Sequence, residues 1–410
     1  MIMYNAVICR YHEIATKGNN RYLFENQLVE NMRYLLRDVD GLKIAKVRGR
    51  IWVSRKDKQD FSDGELAVLR DRLGFAFGLE SFSPVVLGAP DMEFLRTAVR
   101  NCAGAFFDEA FAKRERVAFA IRARRSDKSF GMTSKEIEID IAEVVNEHFG
   151  RGDGLYVNLD RPEVTVFCEV RDEFAFVYFE TLRGPGGLPV GSNPPVLALL
   201  SGGIDSPVAC NMLMKRGCRV HFVTFHSDPY TPPESSEKVK RIADSLNRWQ
   251  RPGRLFLCNL AEIQKAIRDI CNPRYRTVLY RRMMFRIAEK LLERCGAKAI
   301  ITGESVGQVA SQTITNLSTI NSAIQTLVLR PLIGMDKSEA IDIARRIDTF
   351  ELSSWQVPDS CTVFAPDQPA TSVPQDRAER EEELLGDYEA VLDRIVEECE
   401  MYVSGGGEQR

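Results

Sequence analysis

Apolar residues recur along the chain in two rhythms, and the switches between them mark out its elements. Residues 6–9 are an apolar run of strand length; Leu23, Phe24, Leu28, Met32, Leu35 and Leu36 then fall at helical spacing, and short strand patterns follow near Ile44 and Ile51. A second set begins with a strand pattern at 85–87 and a helix opened by the carboxylate of Asp91 and carried by Leu95, Val99 and Cys102. It continues through a strand at 117–121, a helix from Ser134 bearing Ile137, Ile141, Val144 and Val145, and alternating strands at 164–170 and 174–179. Two small α+β units are predicted. The glycines and prolines of GPGGLPVGSNPP, residues 184–195, cannot sustain a helix or a central strand and predict a linker. Beyond it, apolar runs at 196–200, 220–225, 255–257 and 299–301 alternate with helical patterns, which predicts a parallel sheet in an α/β domain. From Arg377 a single charged amphipathic helix is expected, with Leu384, Leu385, Tyr388, Val391, Leu392, Ile395 and Val396 on one face.

Composition narrows the class. With 410 residues, 44% of them hydrophobic and 28% charged, the chain is long enough for two or three domains. No run approaches the ~20 apolar residues of a membrane span, and no basic segment followed by a long apolar one opens the sequence, so a cytoplasmic protein without a membrane partner is expected. The ten cysteines are scattered without a CxxC pair, which argues against a disulfide framework, a zinc ribbon and an iron-sulfur cluster. A net charge of -3 argues against indiscriminate coating of nucleic acid, yet residues 113–135 hold eight basic side chains against two acidic, a local net of +6. Arg122, Arg124, Arg125, Lys128 and Lys135 in this stretch are candidate contacts to RNA phosphates.

The segment VLALLSGGIDSPVA, residues 196–209, carries the strongest chemical signal. A buried strand runs into Ser201, Gly202, Gly203, Ile204, Asp205 and Ser206 and then into a helix. Glycines let backbone N–H groups turn inward and a helix N-terminus favours an anion, so the loop suits a phosphate or pyrophosphate, with the Ser201 and Ser206 hydroxyls as further donors. Asp205 is out of place beside a phosphate unless it holds Mg²⁺ or orders the loop. The GxxxxGK[ST] loop of kinases and GTPases occurs nowhere in the chain.

The loop resembles the SGGxDS loop of the PP-loop pyrophosphatases, which cleave ATP between the α and β phosphates. Further segments, in order, resemble the tRNA 4-thiouridine synthetase family: RYHEIATKGNN, FAIRARRSDKSFGMTSKEIE, GGLPVG, YRRMMFRIAEK, TGESVGQVASQT, RPLIGMDKSEAIDIA and PDSCTVFAP. The resemblance covers nearly the whole chain and implies a multidomain α+β and α/β protein. Its expected parts are a ferredoxin-like module at 1–62, a THUMP RNA-binding domain at 63–175, a linker at 176–195, a PP-loop domain with a doubly wound parallel sheet at 196–398, and a flexible tail at 399–410. Longer members carry a C-terminal rhodanese domain, for which this sequence leaves no room, so the short form is expected.

By the same resemblance, the enzyme adenylates O4 of a uridine at position eight of tRNA and replaces it with sulfur, releasing AMP and pyrophosphate. ATP binding is expected of Leu199, Leu200, Ser201, Gly202, Gly203, Asp205, Ser206, Thr224, Phe225, Arg281, Gly303 and Gln312. Of Arg281 and its neighbour Arg282, at least one is expected to face phosphate. Asp205 and Lys337 are expected in catalysis, and Lys337 stands near a helix start, where a cation is out of place unless it has a function. Cys361 is expected to carry persulfide sulfur from a cysteine desulfurase, with Cys168, Cys210, Cys218, Cys258 or Cys271 as the resolving thiol. The resemblance also allows a homodimer and a sulfur-carrier protein of thiazole synthesis as a partner. Three other readings stay open: sulfur supply for thiamine thiazole, an RNA-binding protein with a vestigial ATP site, and a PP-loop ligase acting on a small molecule.

Overall fold

A computed structural model describes residues 3–47, 49–126, 128–357 and 363–404. It divides into two compact units, Met1–Gly187 and Leu188–Arg410.

The first unit runs β1 (Ala6–Arg10), α1 (Arg21–Leu35), β2 (Leu42–Val47), β3 (Arg50–Arg55), α2 (Asp63–Leu73), β4 (Ser81–Gly88), α3 (Met92–Cys102), α4 (Gly104–Phe111), β5 (Val117–Arg125), α5 (Ser134–Phe149), β6 (Leu155–Val157), β7 (Val164–Val170), β8 (Ala175–Tyr178) and β9 (Leu182–Arg183). Its strands form one sheet in the order β2-β3-β1-β4-β8-β7-β5-β6, with β9 paired to β4. Strand alternation sorts the residues by face. Val7 and Cys9 of β1 join Leu28, Met32 and Leu69 of α1 and α2 in one core, while Phe119 and Val166 join Val99 of α3 and Ile141 of α5 in another. Val86 of β4 touches both cores, so the central strand connects the two halves of the unit. Ile8, Trp52, Phe176 and Tyr178 form a third cluster from the alternate positions of their strands. Helix α5 begins where the sequence places it, at a capping box in which Thr133 accepts from Glu136 N–H and Glu136 accepts from Thr133 N–H.

The second unit runs β10 (Leu188–Leu199), α6 (Asp205–Lys215), β11 (Arg216–His226), α7 (Pro233–Asn247), β12 (Arg254–Asn259), α8 (Ala261–Ile270), α9 (Arg276–Cys295), β13 (Ile300–Ile301), α10 (Ile314–Asn321), β14 (Val328–Leu329), α11 (Lys337–Arg346), α12 (Phe350–Ser354), α13 (Gln375–Glu383), α14 (Tyr388–Glu398) and β15 (Glu400–Val403). The sheet order is β14-β13-β10-β11-β12-β15, parallel throughout except for β15, which returns antiparallel on β12. Successive strands leave β10 in one direction and then in the other, so the order reverses between β10 and β13. Doubly wound sheets bind ligands at such a reversal, outside the carboxyl ends of the strands. The core is built on α9, whose Leu279, Met283, Phe285, Ile287 and Leu291 pack against Leu197, Val223, Phe256 and Ile300 of the strands.

Three expectations need correction. The 176–195 stretch contains the unit boundary but is largely regular: β8 is buried in the first sheet, and β10 starts at Leu188 and absorbs its glycine and prolines by two register shifts before Val196. The tail expected from 399 includes β15, which pairs residue by residue with β12. The single helix expected from Arg377 is two, because Gly386 adopts φ +67, which an L residue avoids, and the Asp387 side chain then caps α14 by accepting from Ala390 N–H.

Candidate functional site

At the reversal point a cleft opens between the ends of β10, β11 and β13. The structure gathers there eleven of the twelve residues expected to bind ATP, Leu199, Leu200, Ser201, Gly203, Asp205, Ser206, Thr224, Phe225, Arg281, Gly303 and Gln312, together with Met284, Thr302 and Glu304. Gly202, the twelfth, lines an adjoining cleft of about 660 Å³ on the other side of the loop, which shares Gly203, Thr224 and Phe225 with the first.

The loop is closed by its own serines. Ser206 Oγ accepts from Ser201 N–H at 3.0 Å, Gly203 N–H donates to Ser201 Oγ at 3.2 Å, and the two hydroxyls lie 3.2 Å apart. The hydroxyls expected to face a phosphate are therefore spent on shaping the loop. No side chain caps the N-terminus of α6, so its first-turn N–H groups are open to an anion. Gly303 is fixed by close approach: a Cβ there would lie 2.7 Å from Asp205 C and from Ser206 N, inside the start of α6. Leu200 is buried and its N–H is bonded to Val223 O, so it contributes to the cleft as strand end rather than as a polar contact.

Charge in the first cleft is arranged around two carboxylates. Glu304, 2% exposed, accepts from Arg281 at 2.5 Å, Arg330 at 2.7 Å and Thr302 at 2.8 Å. Burial raises its pKa, but the two guanidiniums and the hydroxyl outweigh that and hold it below the usual value. Arg281 Nε and Arg330 Nη2 are buried and have no hydrogen-bond partner among the described residues. Asp205 accepts from Lys337 Nζ at 2.8 Å on both oxygens and from Gln308 at 2.8 Å. Lys337 is the first residue of α11, behind the Asp336–Glu339 capping box. Of the arginine pair, Arg281 is the one that lines the cleft. Arg282, 1% exposed, points the other way and clamps Glu382 of α13 through two bonds of 2.7 and 2.9 Å.

Cys361 lies outside the described residues. The chain is described up to Val357, on the rim of the second cleft, and again from Val363. All five candidate resolving thiols are buried and held in the thiol form: burial pushes Cys168 and Cys271 up to about 12 and raises Cys210 and Cys218. A hydrogen bond to Cys399, then burial, raises Cys258. Cys399, which the sequence did not single out, moves the other way. The Cys258 hydrogen bond lowers it against burial, and Arg294 Nη1 lies 3.1 Å from its sulfur.

In the first unit, Arg122 and Arg124 of β5 line a separate cleft with Arg10, Arg50, Phe167 and Tyr178. Phe167 and Tyr178 stack at 4.5 Å, and the Arg10 guanidinium lies 4.9 Å from the Tyr178 ring centre. Burial, and then the charge of Arg10, lower the pKa of Arg50. Arg125 turns away and donates to Lys128 O and Phe130 O at 3.2 Å, bracing the following loop. Lys128 and Lys135 are exposed, the latter 3.6 Å from Glu138. Arg10 and Arg50 lie far from residues 113–135 in the chain, so counting charge along the sequence could not find them. Among the described residues no group of three or more His, Cys, Asp or Glu side chains comes together to hold a metal, and no helix is long and apolar enough to cross a membrane.

Known proteins resemble this chain in sequence and fold. Residues 191–386 match the family model described as thiamine biosynthesis protein (ThiI), residues 6–83 the ThiI ferredoxin-like domain, and residues 97–180 the THUMP domain. A probable tRNA sulfurtransferase of Caldanaerobacter subterraneus is 39% identical over 97% of this chain and 99% of its own length, and one of Staphylococcus aureus strain Newman is 36% identical over 97% and 94%. The crystal structure of a 4-thiouridine synthetase–RNA complex with bound ATP aligns with TM-score 0.86 and 34% identity over 98% of this chain and 99% of that one. PH1313 from Pyrococcus horikoshii shares the fold at TM-score 0.62 and 24% identity, over 84% of this chain and 99% of its own.

Proposed function

The chain belongs to the ThiI family of tRNA sulfurtransferases, and on that premise we propose that it converts a uridine of tRNA, position eight in the family pattern, to 4-thiouridine in an ATP-dependent reaction. The observation that carries this reading is the meeting of the SGGIDS loop with Arg281 in one cleft at the reversal point of a parallel sheet. The loop backbone and the open first turn of α6 favour the ATP phosphates. Arg281, held by Glu304, faces the departing pyrophosphate. Mg²⁺ takes phosphate oxygens and one or two carboxylates, and Asp205, whose two oxygens accept from Lys337, would hold the ion once Lys337 turns from it to the phosphates, letting the ion neutralise phosphate charge. Lys337 stabilises the charge that builds on the α-phosphate as uridine O4 attacks and pyrophosphate leaves. The terminal sulfur of a persulfide on Cys361, loaded by a cysteine desulfurase, then attacks C4 and AMP departs with the original oxygen; a second thiol attacks Cys361 Sγ and breaks the sulfur–sulfur bond, releasing 4-thiouridine and leaving a disulfide that an external thiol reductant reduces before the next turnover.

In the same proposal, Arg122 and Arg124, with Arg10 and Arg50, hold tRNA phosphates over an aromatic floor, and Arg125, Lys128 and Lys135 extend that surface. The test is mass spectrometry of nucleosides after unmodified tRNA is incubated with the protein, ATP, Mg²⁺ and either sulfide or a desulfurase with cysteine. 4-Thiouridine is expected from wild type and not from Asp205→Asn, and Cys361→Ser is expected to fail only with the desulfurase. RNA binding without pyrophosphate release would leave an RNA-binding protein instead. The match to the thiamine biosynthesis model favours, as a second role, sulfur supply to a thiazole carrier protein. A deletion strain that grows without thiamine would remove that role.

A further inference from the structure

At the outer edge of the second sheet two cysteines face one another. β12 and β15 pair antiparallel, with Phe256 opposite Met401 and Leu257 opposite Glu400. Cys399, in extended backbone at φ -62 and ψ 129, carries that register one step further, to Cys258. Directly opposed residues on antiparallel strands have Cα atoms about 4.5–5.5 Å apart, inside the span of about 4.4–6.8 Å that a disulfide bridges. The two side chains already meet: a hydrogen bond joins the sulfurs, and Cys399 packs on the core that contains Cys258. Both are free thiols.

The two thiols are not equivalent. Cys258 is 0% exposed, whereas Cys399 is partly exposed where α14 ends. The Arg294 guanidinium, in the last turn of α9, lies 3.1 Å from the Cys399 sulfur and is held there by a second bond of 2.6 Å to Val396 O. The neighbouring carboxylate of Glu400 is paired with Lys240 at 3.1 Å. A thiolate is favoured beside a guanidinium and by a donor aimed at its sulfur. Accordingly, the Cys258 hydrogen bond and the Arg294 charge lower the pKa of Cys399 against burial, and the same hydrogen bond raises that of Cys258. An accessible thiolate thus stands against a buried thiol that can displace whatever it acquires. Neither cysteine lines the nucleotide cleft or the cleft adjoining it.

We infer that Cys399 and Cys258 form a reversible redox site, in which a low-molecular-weight disulfide oxidises the pair and the bond so made fastens β15 to the sheet. The inference goes beyond the sulfur-transfer reading and does not depend on it. The Cys399 thiolate attacks one sulfur of the external disulfide, whose sulfur–sulfur bond breaks; Cys399 is left in a mixed disulfide and one small thiolate departs. Cys258 gives its proton to that thiolate and attacks Cys399 Sγ, expelling the second small thiolate. Two protein sulfurs are oxidised, the external disulfide is reduced, and excess small thiol runs the exchange backward. The structural consequence follows from position. β15 begins at the residue after Cys399, so the bond pins the edge strand at its start and opposes its fraying from β12.

The test uses oxidised glutathione as the disulfide. Full-length protein is incubated with it, remaining thiols are blocked with iodoacetamide, and unreduced digests are mapped by mass spectrometry, which keeps links made by Cys361 apart from those made by Cys399. A peptide pair joined through Cys258 and Cys399 is expected, and dithiothreitol should abolish it. Cys399 recovered as the thiol, or as a glutathione adduct that Cys258 does not displace, overturns the proposal. Cys258→Ser should trap that adduct on Cys399, and Cys399→Ser should leave Cys258 unmodified; glutathione on Cys258 in the second variant overturns the order of attack. The wild-type map decides the matter even if the substitution at buried Cys258 prevents folding. Arg294→Gln should slow alkylation of Cys399 at pH 7 about threefold, because an about tenfold smaller thiolate fraction is partly offset by greater nucleophilicity; an unchanged rate removes Arg294 from the site. Hydrogen exchange of the 400–403 amides should be at least ~10-fold slower in the oxidised protein, and equal exchange in the two forms ends the role in fastening β15.

Discussion

Lys337 Nζ sits 2.8 Å from both carboxylate oxygens of Asp205, tying the first residue of α11 to the first residue of α6. A carboxylate is favoured at a helix N-terminus and a lysine is not, so each helix start is compensated by the other. Lys337 is about half exposed, and such a pair contributes only ~0–1 kcal/mol to folding. Lys337→Met should therefore leave the unfolding free energy within about 1 kcal/mol of wild type while lowering the rate of adenylation at least ~10²-fold, the usual loss when a transition-state charge partner is removed. Pyrophosphate release with saturating ATP and tRNA, beside a urea titration, checks both halves.

Glu304 behaves oppositely, because it is buried between two guanidiniums. Glu304→Gln leaves Arg281 and Arg330 without their counter-charge and should cost about 3–5 kcal/mol of stability. It should also weaken ATP binding, since Arg281 loses the group that aims it. Calorimetric titration with ATP at a temperature where the variant is still folded separates the two effects.

Gly303→Ala tests the close approach of β13 to α6. The methyl group would meet backbone at 2.7 Å, which no side-chain rotation can relieve. The phosphate loop must shift, so ATP affinity should fall at least ~10-fold with tRNA affinity unchanged. Fluorescence titration with each ligand reads this out. Gly202→Ala meets the buried, hydrogen-bonded Lys238 side chain at 3.1–3.3 Å, a looser contact than 2.7 Å to backbone, and should be milder.

His221 sets a pH dependence of folding. It is 5% exposed, its Nδ1 accepts from Arg254 N–H at 3.1 Å, and burial, then the charges of Arg219 and Arg254, lower its pKa from 6.5 to about 4. The unfolded chain takes up this proton first. The contribution is therefore full above pH 6.5 and is lost as pH falls from 6.5 through 4, the loss amounting to about 3 kcal/mol below that window. Denaturant titrations at pH 7 and pH 4.5 should show a smaller acid loss for His221→Gln than for wild type.

The phosphate loop, its flanking strand and helix, and the parallel sheet were legible because short-range rules write them: an apolar run, paired glycines and a following helical period. The Arg281–Glu304–Arg330 network was not, since its members are separated by more than twenty residues in sequence and stand on α9, after β13 and after β14, which meet only in the folded sheet. The arginine pair shows the same limit at closer range. Neighbours on a helix point about 100° apart, so Arg281 and Arg282 had to take different roles, but only the packing of α13 reveals which faces inward. The break at Gly386 could have been read from the glycine itself; the apolar stripe running across it concealed the stop. Arg10 and Arg50 escaped because the arginines of the basic cleft come from three strands, β1, β3 and β5, and a local charge count sees one.

The antiparallel strand β15 covers the outer edge of β12, yet it is made long after β12 has left the ribosome. Until then the parallel sheet presents a row of unpaired amides and carbonyls to any extended chain nearby. Vectorial synthesis thus passes through a stage in which the nucleotide cleft can already form from β10, β11 and β13 while the sheet beside it is still adhesive, and completion of the last strand converts that half-finished template into a sealed domain.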